Sequence, residues 1–128
     1  MKNSRDQSPE IIIDHWAEHF NNGNLEYLLN MYHKEATLLP TFLSKALSTR
    51  EQIEDYFIKT IEGQASVELD HDKTIKKRFS EDIYLMTGAY TFCIKTKDNA
   101  KYLSWFTFLI DLSANSPIKH HHSSRVPF

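Results

Sequence analysis

The hydrophobic pattern of this chain changes period once, at Ser66, and that change limits the folds open to it. From there on, β-branched and aromatic residues fill segments near 66–79, 83–96, 101–112 and 117–123. The connections Ser80-Glu81-Asp82, Lys97-Asp98-Asn99 and Ser113-Ala114-Asn115-Ser116-Pro117 are short and turn-rich, so strands adjacent in sequence should pair antiparallel. Before Ser66 the period is mostly helical. Helices followed by an antiparallel sheet make an α+β domain, in which long strands curl around the helices.

The helices can be placed by their ends. Ser8-Pro9-Glu10 supplies an N-cap, a proline at the first helical position and an acid in the first turn. Ile12, Ile13, Trp16 and Phe20 then form one apolar stripe, and Asn21-Asn22-Gly23 offers a left-handed stop. Asn24 caps a shorter predicted helix carrying Leu25, Leu28, Leu29 and Tyr32. Ala36 to Leu39, ended by Pro40, suits a strand at the edge of a sheet. Ser48 to Gln52 has the capping-box pattern ahead of Ile53, Tyr56, Phe57 and Ile61, with Gly63 as the stop. Residues 1–7 are expected to be loose and 8–128 to form a single domain.

Charge and composition exclude several functions. Fifteen Lys and Arg against seventeen Asp and Glu give a net charge of −2, so neither nucleic acid nor an anionic membrane is an expected partner. Three glycines cannot build a phosphate-cradling loop, and no catalytic-loop signature of a kinase is present. A lone cysteine, Cys93, cannot form an internal disulfide, and the polar start lacks the apolar stretch of a signal peptide. A reducing, cytoplasmic setting is the expectation, and no apolar run approaches the roughly 18 residues of a membrane span.

The end of the chain carries Ile118-Lys119-His120-His121-His122-Ser123-Ser124, with Pro127 after it. On a strand His120 and His122 share one face and His121 points to the other. Two imidazoles on one face titrate near neutrality. Metal binding is weakly supported. His15-Trp16-Ala17-Glu18-His19 formally matches a zinc-peptidase pattern, but Glu18 falls almost opposite the buried face of its helix. His120-x-His122 lacks the further ligands that zinc needs. Neither a metal nor a cofactor is expected.

Trp16, Gly23-Asn24, Tyr32 with Ala36, Leu38-Leu39-Pro40-Thr41, Ile53 with Tyr56-Phe57, Gly88-x-Tyr90-Thr91-Phe92 and the His-His-Ser-Ser segment run in order across nearly the whole chain. Together they resemble the nuclear transport factor 2-like superfamily, and within it the calcium/calmodulin-dependent protein kinase II association domain and its free-standing, SnoaL-like bacterial relatives. The resemblance implies three N-terminal helices packed on a strongly curved, mostly antiparallel sheet, a cone-shaped cavity, and homodimers or larger rings built through the sheet. Two positions depart from the pattern: Trp105 stands where a pocket Arg is usual, and Ser116 where a Trp is usual.

On the cone that the resemblance implies, Trp16, Tyr32, Tyr56, Tyr90, Trp105, His120 and His122 surround the cavity. Tyrosine hydroxyls and an imidazole in an aromatic lining would orient a neutral or weakly acidic organic ligand. The plainer alternative is that these aromatics are simply core. Two functions are therefore open. One is association with small-molecule binding and no kinase activity. The other is a cofactor-independent isomerase, cyclase or dehydratase, with His122 as base and Tyr90 stabilising an enolate. The sheet itself argues for assembly, since its aromatic residues exceed what three helices can cover. The parity of the strand from Tyr102 to Leu112 decides which of them: if Trp105 and Thr107 line the cavity, Phe106 and Phe108 face a partner.

Overall fold

The computed structural model describes residues 4–127; the ends of the expected segments at 1–3 and 128 lie outside the described residues. Helices α1 (Pro9–Asn21), α2 (Leu25–Asn30) and α3 (Arg50–Glu62) accompany strands β1 (Tyr32–Leu39), β2 (Ala65–Arg78), β3 (Ile83–Ile94), β4 (Ala100–Asp111) and β5 (Ile118–Arg125). The strands form one curled, unclosed sheet in the order β1-β5-β4-β3-β2. The pairs β2–β3, β3–β4 and β4–β5 are antiparallel, as the short turns require, and β1 joins parallel to β5 at the edge.

The helix ends follow the capping chemistry. Ser8 accepts a hydrogen bond from the Ile11 amide with Pro9 at the first helical position, and Thr49 and Gln52 form a reciprocal capping box on α3. Gly23 takes φ +66° after α1. After α3 the left-handed residue is Gln64, at φ 53°, while Gly63 remains helical. Ser4 is buried and its amide donates to the Leu112 carbonyl at 2.9 Å, so part of the stretch expected to be loose is tied to the end of the β4 segment.

One apolar face of the sheet meets the helices. Met86, Tyr90, Phe92 and Ile94 of β3 and Phe106, Phe108 and Ile110 of β4 point inward onto Ile12, Ile13, Trp16 and Phe20 of α1 and Ile53 and Phe57 of α3. Gly88 makes that packing feasible. It lies directly across from Phe106, and a Cβ there would fall 2.7 Å from the Phe106 ring.

Candidate functional site

The inward parity of β4 places Phe106 and Phe108 in the core and turns Leu103 and Trp105 outward, 44% and 46% exposed. Trp105 therefore does not line the cavity, which corrects the placement expected from its position in the family pattern. On the inner face Phe108 packs edge-on to Trp16 and Phe106 against Tyr90, where Gly88 leaves room for the Phe106 ring.

A second correction concerns the histidines. Ile118 pairs with Ile110 but His120 pairs with Leu109, so two residues of β5 oppose one of β4 and the strand carries a bulge at Lys119. The bulge reverses the alternation that Ile118 begins. His121 consequently enters the core, while His120 is half-buried and His122 exposed on the outer face. Tyr90, Tyr32, Trp16 and Tyr56 lie on the inner side, the first three fully buried.

These residues form a continuous hydrogen-bonded chain. The Trp16 indole N–H, on α1, donates to the Tyr32 hydroxyl at 2.9 Å. Tyr32 Oη lies 2.7 Å from His121 Nδ1, and His121 Nε2 lies 2.9 Å from Tyr90 Oη. Because the indole can only donate, every hydrogen finds an acceptor when Tyr32 donates to Nδ1 and the Nε2–H donates to Tyr90. Ser123 interacts with the Tyr90 hydroxyl and contacts the Thr41 hydroxyl beyond it, at the end of β1. Phe108 stacks on the imidazole with centroids 4.0 Å apart.

Burial sets the ionisation of the whole group. It pushes His121 well below its usual pKa, with His120 and His122 adding repulsion, and pushes the Tyr32, Tyr56 and Tyr90 hydroxyls upward. The site is neutral and saturated with internal partners. No Asp or Glu lines the pocket bounded by Trp16, Thr41, Tyr56, Tyr90, His121 and Ser123, whose free volume is about 10 Å³. Among the described residues no group of three or more His, Cys, Asp or Glu is placed to hold a metal ion.

A larger groove, of about 380 Å³, opens above it between α3, the segment after β1, and the facing ends of β3 and β4. Phe42, Leu47, Tyr56, Ile94 and Tyr102 line it, with Lys45, Lys59 and Lys97 against a single Asp55. Phe42 closes its inner end, edge-on to Phe92 at 5.3 Å and to Tyr102 at 5.1 Å. Of the groove's residues sequence reasoning had singled out only Tyr56, and it had passed over His121, Ser123 and Thr41 as members of the buried chain.

No family model matches this sequence, and no curated protein matches it. Solved structures do. A candidate calcium/calmodulin-dependent protein kinase II association domain from Xanthomonas campestris superposes with a TM-score of 0.80 at 25% identity, over 90% of this chain and 83% of that one. A candidate dehydratase of the nuclear transport factor 2-like family from Streptomyces avermitilis gives 0.81 at 13% identity, over 93% and 94%. A candidate scytalone dehydratase from Novosphingobium aromaticivorans gives 0.75 at 10% identity, over 92% and 81%. No helix is long and apolar enough to cross a membrane among the described residues.

Proposed function

We propose that this chain, which shares its fold with structures of the nuclear transport factor 2-like family, is an association domain that self-assembles through its sheet and holds a small organic ligand in the groove beside α3. One observation carries the assembly: the middle of the outward face of β3, β4 and β5, between Leu103 and Leu109 on β4, holds no fixed charge. Leu85, Thr87, Ala89 and Thr91 of β3 lie beside Leu103, Trp105, Thr107 and Leu109 of β4, and those beside His120, His122 and Ser124 of β5. Acids and bases stand at the border of that strip: Lys101 and Asp111 toward the two ends of β4, Lys119 in the bulge of β5, and Glu68, Asp70 and Lys77 on β2. A charge-free strip centred on a half-exposed tryptophan is self-complementary, which suits a second copy related by a two-fold axis.

The Xanthomonas relative, described by its assembly role, supports the same reading. The groove volume falls within the roughly 300–1,000 Å³ of small-molecule sites, and its apolar walls with a lysine-bearing rim suit a neutral or weakly acidic ligand. An isomerase, cyclase or dehydratase has less behind it. His122, the expected base, faces outward, both nitrogens of His121 are engaged, and no carboxylate lines the deep pocket.

Native mass spectrometry of the wild type and of Trp105→Glu tests the proposal. The wild type is expected as a dimer or larger and the variant as a folded monomer, because a carboxylate buried on each side of the two-fold costs several kcal/mol. A monomeric wild type at tens of micromolar would sink the assembly reading; a retained organic mass would identify the ligand.

A further inference from the structure

His120 and His122 stand on the face that carries the assembly. His122 pairs across β4 with Thr107, two residues from Trp105 on the same side of the same strand, so a partner that covers Trp105 also covers His122. His120 pairs with Leu109, and its Nδ1 lies 2.6 Å from the Thr37 hydroxyl on β1. That contact fixes the ring without selecting its charge, because a hydroxyl donates as readily as it accepts. We propose that these two histidines make self-association proton-sensitive: neutral they belong to the uncharged strip, and protonated they place cations in a dry interface and force dissociation.

The inference rests on the sheet-to-sheet assembly proposed above and adds its regulation. The surroundings offer protonated rings little relief. On β1 the nearest ionisable group on the same side is Glu35, two residues from Thr37; on β4 it is Asp111, whose Oδ1 already accepts from the Ser113 amide and hydroxyl. Lys119, in the bulge, adds positive charge beside His120, and His121 is buried and neutral on the opposite face. Around His120 itself, burial and the neighbouring His122 lower the pKa even in the isolated chain. A two-fold axis then brings four such rings to one interface, and their repulsion adds to the desolvation of each.

Sedimentation velocity of the full chain at pH 7.5 and 5.5, at one ionic strength, tests this with wild type, His120→Asn/His122→Asn and Trp105→Glu. The wild-type dissociation constant should rise at least tenfold on acidification, and that of the double variant less than threefold. His121 is intact in both proteins, so acid loosening of the core would appear in both. A pH-independent wild type, or a double variant that keeps the full dependence, overturns the proposal. If in either case Trp105→Glu is monomeric at pH 7.5, the assembly reading stands without its switch; a wild type monomeric at both pH values removes both.

Discussion

His121 is the side chain on which the interior depends. It joins helix and sheet by accepting from Tyr32 and donating to Tyr90, between the Trp16 edge and the Phe108 face. His121→Leu keeps similar bulk but takes one hydrogen-bond partner from each of two buried hydroxyls, leaving Tyr32 with only the Trp16 indole and Tyr90 with only Ser123, and should lower unfolding stability by about 2–4 kcal/mol. Adding Tyr90→Phe should recover part of that loss in urea titrations, because one under-satisfied hydroxyl is then removed. The sign of the pH effect follows from the depressed pKa of the folded state. Below about 6.5 the unfolded histidine takes a proton that the folded one refuses, so stability is whole above that pH and falls with acidification. The slope reaches at most about 1.4 kcal/mol per pH unit for one such group. Melting curves of wild type and His121→Leu between pH 7.5 and 5 should diverge accordingly, the variant keeping the slope owed to His120, whose pKa is also lowered by burial, and toward pH 5 that of Glu10, which Lys76 holds below the usual carboxylate range.

At the level of the elements, what was legible was local. Ser8-Pro9, the Thr49 to Gln52 box and the turn-rich connections determine ends by nearest-neighbour chemistry, and α1, α3 and β2 to β5 fall where those signals stand, whereas Tyr32, expected on the second helix, opens β1, which runs from Tyr32 and not from Ala36. The Thr49→Ala change should cost about 1 kcal/mol by removing the α3 cap, measurable as a lower thermal midpoint. Which face of a strand turns inward is not local. On β5 it depends on a bulge whose cause is the register with β4, and on β4 on which aromatic set the helices can cover, so His122 and Trp105 were expected inside and lie outside. Gly88 reports that choice. Gly88→Ala forces a methyl against Phe106 and within 3.3 Å of the Thr74 Cα, and should destabilise by about 1–3 kcal/mol. Combined with Phe106→Leu, the cost should be less than the sum of the two changes, which a double-mutant cycle reads directly.

Across the whole molecule, the sheet separates a neutral His121 held inside from His120 and His122 on its outer face, and the segment after β1 separates two spaces. Tyr56 borders both the open groove and the nearly filled polar pocket, and between them stand Phe42 and the Thr41–Ser123 contact. Composition could not reveal this partition, since Phe42 looks like any loop phenylalanine until Phe92 and Tyr102 arrive from distant strands. Removing the ring should join the spaces. In Phe42→Ala, water from the groove would reach Tyr90 and the Nε2–H of His121, whose exchange is otherwise limited by opening of the buried network. The imidazole N–H should therefore exchange at least tenfold faster in nitrogen-edited NMR spectra, while far-UV circular dichroism is unchanged because Phe42 is itself 37% exposed and anchors no strand. Equal exchange rates would mean that water reaches the histidine by another route, and that the loop's aromatic does not guard it.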